Sequence, residues 1–200
     1  ITTCEIDNCV HADVLHMIAN IDKQAMNPDI LSRAQDAAAH AESVLFSSSL
    51  PEEQSSLINA NIKMLLGGAE SRAIGEPPRV GAQADFLTSM CSQEDPPLRR
   101  DCEKAIRFNL DKIAMIETLA NNPSTPEVAV IEAFRKAEEE HQHLDQYMRE
   151  QDIFMGAEIS DIVAMLLDAT IARAKKEPVP AEVQCDLLCG FLGVQDDDSF

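Results

Sequence analysis

Residues 61–87, NIKMLLGGAESRAIGEPPRVGAQADFL, and residues 162–188, IVAMLLDATIARAKKEPVPAEVQCDLL, are two versions of one segment. Without a gap, at an offset of 101, they share ten identities in twenty-seven positions. Chance gives about two. Met64 to Leu66 fall on Met165 to Leu167, and in both copies the apolar residues recur at helical spacing before a proline. The chain is therefore interpreted as a tandem duplication of a helical unit.

The duplication extends towards the N-terminus at a slightly different register. Cys4-Glu5 falls on Cys102-Glu103, and Met17-Ile18 falls on Met115-Ile116, both pairs 98 positions apart. A three-residue insertion before His141 accounts for the change of offset. We therefore predict helical repeat 1 over residues 1–97, helical repeat 2 over residues 98–195, and an acidic tail over residues 196–200.

The composition favours helices over sheets. Hydrophobic residues make up 45% of the chain, with one Tyr, no Trp and eight Met, which suits a helical core better than a β-sandwich. Ser124 and Glu127 have the spacing of a capping box at the start of one helix. We predict an all-α protein of two four-helix repeats packed with pseudo-two-fold symmetry. The spacing of apolar residues, together with prolines and capping residues, predicts helices at 10–24, 28–46, 51–75, 82–90, 126–150, 159–176 and 181–192.

The net charge limits the partners. A formal charge of −19 at pH 7 repels polyphosphate and anionic lipid. We therefore expect no nucleic-acid partner, and instead a larger protein assembly with a basic or apolar docking surface. No apolar run reaches eighteen residues, so we predict that the chain does not span a membrane.

Six cysteines point to an oxidising compartment. They form neither a Cys-x-x-Cys pair nor a tight Cys/His cluster, which favours disulfides over a zinc site. We expect an organelle lumen, such as the thylakoid lumen, or secretion. The chain begins at Ile1, which suggests that a leader was removed.

Two disulfide pairings remain open. A repeat-symmetric pairing uses the two equal intervals of 87 residues and then joins the remaining cysteines across the repeats. A nested pairing follows an order that resembles that of saposins. The first pairing is Cys4–Cys91, Cys102–Cys189 and Cys9–Cys185, and the second is Cys4–Cys189, Cys9–Cys185 and Cys91–Cys102.

Catalytic and metal-binding motifs are weak. Glu138 and His141 have the Glu-x-x-His spacing of carboxylate-bridged di-iron bundles, but repeat 1 offers only Ala37 and His40 at that spacing. We therefore predict no metal site and no catalytic residues, and interpret the segment from Glu138 to His143 as a solvated acidic helix face with exposed histidines. His40 and His141 occupy equivalent positions, which suits either a residue that the fold requires or a symmetric ligand site.

The segment from Asn27 to Leu31, followed by alanines and His40, resembles the Pro, Leu-Leu, Ala-rich, His stretch of peridinin–chlorophyll proteins. Those are soluble, helical, internally duplicated light-harvesting proteins of the dinoflagellate chloroplast lumen. The resemblance implies a photosynthetic lumen and makes His40 and His141 the pigment-facing, cofactor-binding positions.

These features favour a function without catalysis. We expect a disulfide-stapled helical-repeat protein that acts as a docking or accessory subunit of a larger assembly. The alternative is a carrier of an apolar ligand, lipid or chlorophyll or carotenoid pigment, held between the repeats. A docking subunit requires no cofactor, whereas a carrier would bind pigment or lipid as its ligand.

Overall fold

The computed structural model describes residues 28–47, 52–73 and 80–177. These segments hold six α-helices and, within them, no β-strand, so the all-α prediction is confirmed. The predicted helices at 10–24 and 181–192 and the acidic tail lie outside the described residues. The helices are α1 Pro28–Ser47, α2 Glu52–Ala73, α3 Val80–Met90, α4 Pro96–Asn121, α5 Glu127–Glu150 and α6 Gly156–Ala174.

The helix ends follow local capping and helix-breaking residues, but one predicted cap is wrong. Pro96 opens α4, where its missing N–H costs nothing because the first N–H groups of a helix have no internal acceptor. The predicted capping box of Ser124 and Glu127 is wrong. The N-cap of α5 is the extended Pro126, so Glu127 is the first helical residue rather than the third. The Asn122 side chain accepts a hydrogen bond from the Ser124 N–H at 3.0 Å, which makes the preceding loop an Asx turn.

The chain divides into two compact units, each described by itself. The first unit contains α1 and α2, which pack against each other. The second unit spans Glu76–Val179 and contains α3 to α6. Within it α4 packs against α3, α5 and α6, and α5 packs against α6. The predicted boundary between the sequence repeats, at 97/98, falls in the second unit, within the first turn of α4. The repeats themselves, their symmetry and their disulfide staples stay predictions.

Helices α2 and α6 bury residues at matching positions along the 101-residue offset. Ile58 and Ile159 are both fully buried, and Leu65 and Leu66 are buried like Leu166 and Leu167. Met165 is buried, whereas its counterpart Met64 is half-buried. The buried faces of α2 and α6 therefore match along this offset, as the hydrophobic spacing predicts.

A tight turn joins α5 to α6 in the second unit. Asp152 and Met155 both have positive φ angles, 51° and 56°, a region that costs a non-glycine residue energy. Gly156 follows them. A Cβ atom there would lie 3.0 Å from the Cβ of Met148 and 3.2 Å from the Cβ of Ile153. Glycine therefore permits the close approach of α6 to the end of α5.

Candidate functional site

The two equivalent histidines lie in different surroundings. His40, on α1, is exposed. His141, on α5, is half-buried, and its Nε2 atom lies 3.0 Å from the carbonyl oxygen of Ser160 on α6. A carbonyl oxygen only accepts, so we assign the ring proton to Nε2, which donates to it. The expectation of an exposed His141 was wrong because α6 packs over this part of α5.

Ser160 is the centre of a polar cluster between α5 and α6. Its side chain is buried, and its hydroxyl donates to Oδ1 of Asp145 at 3.1 Å. The same hydroxyl oxygen lies 3.2 Å from Nε2 of His141. Arg149 pairs with the other oxygen of Asp145 at 2.8 Å. Ser160, Asp145 and His141 thus each have a partner on the other helix, and Arg149 pairs with Asp145 one turn away.

The cluster contains Ser, His and Asp but does not form a nucleophilic triad. In such a triad the histidine receives the serine proton and the carboxylate orients the histidine. Here the Ser160 proton goes to Asp145, while Nε2 of His141 carries its own proton. Ser160 is also buried beyond the reach of a substrate. The arrangement joins two helices through polar contacts.

Asp161 lies beside this cluster, and the pKa of its carboxyl is raised. Partial desolvation raises the pKa of its carboxyl above the ordinary value, and the nearby negative charges of Asp145 and Glu158 raise that pKa further. His141 and Arg149 act in the opposite direction with smaller effect. The balance makes the ionised form of Asp161 costly in the folded protein.

The first unit carries a polar contact at the equivalent place. Asn59, which is 101 positions before Ser160, is buried and donates from Nδ2 to Oε1 of Glu42 at 2.9 Å. Lys63 donates to the same oxygen at 2.7 Å. These hydrogen bonds, from Lys63 first and Asn59 second, lower the pKa of Glu42. In each unit, therefore, a buried polar residue hydrogen-bonds to the neighbouring helix, and these two residues lie 101 positions apart in the sequence.

The remaining acidic face of α5 is solvated. Arg135 pairs with Glu132 and Glu139, and its hydrogen bond lowers the pKa of Glu132 to about 2. His143 is exposed, with Nδ1 3.6 Å from Glu140. Within the described segments, no three His, Cys, Asp or Glu side chains are grouped so as to hold a metal ion.

Two of the six cysteines are described, and they contact each other. Cys91 follows the end of α3, Cys102 lies in α4, and both are buried thiols in this structure. Burial, and then the neighbouring Cys102, raise the pKa of Cys91 to about 12. Burial also raises the pKa of Cys102, which has Tyr147 as a further hydrogen-bonding neighbour. Cys4, Cys9, Cys185 and Cys189 lie outside the described residues.

The exposed face of α4 carries apolar side chains that the motif search did not single out. Phe108 and Met115, seven residues apart on one face, are 47% and 52% exposed. Their spacing within a stripe of otherwise polar residues is a signal that the sequence offers. Val128 and Ile131 form a second exposed apolar pair at the start of α5, at 72% and 54%. The solvent-facing stripe of α4 consists of Asp101, Lys104, Phe108, Asp111, Met115 and Thr118.

Comparisons with protein-family profiles, with curated proteins and with solved structures find no match to this chain. Across 28–47, 52–73 and 80–177, no helix is both long enough and apolar enough to cross a bilayer.

Proposed function

We propose that the protein is a non-enzymatic docking subunit that binds a larger protein assembly through the solvent-facing stripe of α4. The observation that carries this proposal is the exposure of Phe108 and Met115 in the middle of that stripe. Scattered exposed apolar residues need no explanation, but two large side chains two helical turns apart match the anchor spacing by which helices dock into apolar grooves.

The exposed area is large enough to support binding. Covering the exposed half of Phe108 or of Met115 removes about 100 Å² of apolar surface from water. Each of these side chains would then contribute about 2.5 kcal/mol to the free energy of binding. Lys112 already lies over the Phe108 ring, 4.7 Å from its centroid, so one face of the ring is partly covered. These two residues therefore serve as anchors within a larger contact.

Charge defines the partner. The net charge of −19 favours a partner whose apolar surface is bordered by Lys and Arg. Long-range attraction then speeds association and is screened by salt. An oxidising lumen, including the thylakoid lumen, or the cell exterior is the proposed location, on the basis of the six cysteines.

A labelled amphipathic peptide of Leu and Lys, which provides an apolar face with a basic border, tests the proposal by fluorescence anisotropy. The full chain should bind it saturably, and binding should weaken as salt rises. Phe108→Ser with Met115→Ser should weaken binding by tenfold or more. The matched control, Val128→Ser with Ile131→Ser, removes an apolar pair of α5 that is at least as exposed and should leave binding unchanged. Equal losses in both double variants would show non-specific apolar adhesion and would contradict the proposal.

One buried side chain supports the alternative, a carrier of an apolar ligand. Asn61 is fully buried on α2, and neither its amide nitrogen nor its amide oxygen has a hydrogen-bond partner within the described part of the chain. Its counterpart 101 positions later is the core residue Ile162. A buried amide without a partner costs about 1–3 kcal/mol, so the polar end of a bound lipid or pigment would satisfy it. If the ligand is a pigment, His40 and His141 are the proposed contacts.

Native mass measurement of freshly purified protein separates the two functions. A carrier retains a discrete additional mass, and Asn61→Ile should remove it. A docking subunit shows the mass of the chain alone, and Asn61→Ile then only stabilises the fold. The proposed duplication is compatible with both functions and is supported by the matching burial of α2 and α6.

A further inference from the structure

The two described cysteines occupy one end of the second unit. Cys91 lies directly after α3, in a turn closed by hydrogen bonds from the Cys91 N–H to the Thr88 carbonyl at 3.0 Å and from the Glu94 N–H to the Cys91 carbonyl at 3.2 Å. Cys102 lies in the second turn of α4. The chain thus reverses direction between them, and α3 packs against α4.

The two thiols are each other's neighbours in the core. Both cysteines have no exposed surface, and their side chains are within hydrogen-bonding contact. Tyr147, on α5, contacts Cys102. The turn that carries Cys91 is also fixed to the opposite turn, because Oε1 of Glu94 accepts a hydrogen bond from the Phe154 N–H at 2.7 Å. The backbone on both sides of the pair is therefore held in place.

We propose that Cys91 and Cys102 form a disulfide bond in the mature protein and that this bond fastens α3 to α4. Among the two pairings that the sequence leaves open, this bond belongs to the nested one. The repeat-symmetric pairing would instead draw Cys91 to Cys4 and Cys102 to Cys189. That would separate two thiols that the fold of the second unit brings together.

The bond forms by thiol–disulfide exchange with an oxidised donor, either glutathione disulfide or the disulfide of an oxidoreductase. One thiolate attacks the donor disulfide and releases one donor thiol, which leaves a mixed disulfide. The second thiolate attacks the protein sulfur of that mixed disulfide and releases the second donor thiol. Two electrons pass to the donor, and the two thiol protons complete the two reduced donor thiols.

Burial of the two sulfur atoms determines when thiol–disulfide exchange with the donor can occur. In the folded unit neither sulfur is accessible to a donor. Burial, which raises the pKa of Cys91, also keeps its thiol protonated at neutral pH. Oxidation therefore accompanies folding, and the completed bond resists reduction in the native state. It is a structural bond of an oxidising compartment rather than a switch.

The disulfide bond should stabilise α3 more than the other helices of the second unit. This helix has eleven residues, and isolated helices of that length are marginal in water. The packing of α3 on α4 secures it along its length, and the disulfide secures its C-terminal end. The inference does not depend on the docking proposal, because the solvent-facing stripe of α4 does not include Cys102.

Peptide mapping tests the bond directly. The full chain is refolded in a glutathione redox buffer, alkylated under denaturing conditions and digested with trypsin without reductant. Cleavage after Arg79, Arg99, Arg100 and Lys104 yields a Cys91 peptide of residues 80–99 and a Cys102 peptide of residues 101–104. We expect these two peptides as one linked species that separates on reduction. Linkage of Cys102 to Cys189, or of Cys91 to Cys4, would overturn the proposal, as would alkylation of both thiols.

Hydrogen exchange tests the consequence for α3. Wild type that is reduced while unfolded and then refolded in reductant should exchange the amides of residues 80–90 about tenfold or more faster than the oxidised protein, with the core of α5 unchanged. Cys91→Ser with Cys102→Ser is the matched control, and its α3 amides should not respond to reductant. If α3 loosens equally in both proteins on reduction, another bond is responsible and the assignment fails.

Discussion

The buried ion pair between α4 and α6 offers the sharpest test of how the second unit is held together. Arg173 Nη2 lies 2.6 Å from Oε1 of Glu117, and the two side chains are 18% and 8% exposed. Thr170 joins them, since its hydroxyl donates to Glu117 at 3.3 Å and accepts from Arg173 at 2.8 Å. Three polar side chains thus hydrogen-bond to one another where α4 meets α6.

Removing one partner leaves a buried charge without its counter-ion. We expect Arg173→Met to lower the free energy of unfolding by about 3 kcal/mol, at the lower end of the usual range because some water reaches this site. The double variant Glu117→Leu with Arg173→Met replaces the pair by apolar side chains and should lose about 1 kcal/mol or less. The loss in the double variant should therefore fall well below the sum of the two single losses.

Urea unfolding, followed by far-UV circular dichroism, measures these values. Lys104→Met is the matched control, because Lys104 pairs with Asp101 at the surface with exposures of 77% and 61%. Exposed pairs contribute about 0–1 kcal/mol, so this variant should unfold almost like the wild type. A loss below about 1 kcal/mol for Arg173→Met, or additive single losses, would refute the reasoning that burial makes the pair interdependent.

Three further predictions follow from single positions. Gly156→Ala should lower the free energy of unfolding by about 1–3 kcal/mol, because its Cβ would lie 3.0 Å from that of Met148. Gly67→Ala, with open space around it, should raise the free energy of unfolding by about 1 kcal/mol. Melting temperatures that shift in the same direction for both variants would contradict this. Asp161→Asn should raise the melting temperature at pH 7 but not at pH 3. The raised pKa of Asp161 means that its contribution to stability is complete below the unfolded value and is lost as the pH rises through the folded value, so a gain at pH 3 would be inconsistent. Ile58→Ala and Ile159→Ala remove fully buried side chains that lie 101 positions apart. Each variant should lower the free energy of unfolding in urea by about 3 kcal/mol. Losses that differ by more than about 2 kcal/mol would argue against the proposed equivalence of the two repeats.

The helices were predictable because their signals are local. The spacing of apolar residues in α2 and α6, and the proline before α5, follow from the geometry of a single helix. Bounds differed from prediction by a few residues, except that no bounds were predicted for α4, Pro96–Asn121. The capping box at Ser124 was misjudged because Asn122 competes for the same backbone N–H group, and competition between neighbouring side chains cannot be read from spacing alone.

The site was less predictable because its contacts join residues that are distant in sequence. The sequence singled out His141, but its partner Ser160 lies nineteen positions away, on α6. The ion pair of Glu117 and Arg173 spans 56 positions and belongs to no motif. The sequence also named Cys91 and Cys102 without being able to choose between two pairings. Which side chains meet depends on how helices pack, and that packing is a property of the whole core.

The sequence by itself determined that the protein is helical, strongly acidic and built around an apolar helix face that recurs after 101 residues. These properties depend on composition and periodicity, which each segment carries independently. Only the tertiary structure decided that His141 is held by Ser160 while His40 is exposed, that Cys91 faces Cys102, and that Phe108 remains on the surface. Each of these outcomes requires knowing which helix covers which face. Burial, contact and exposure arise only when the helices pack together.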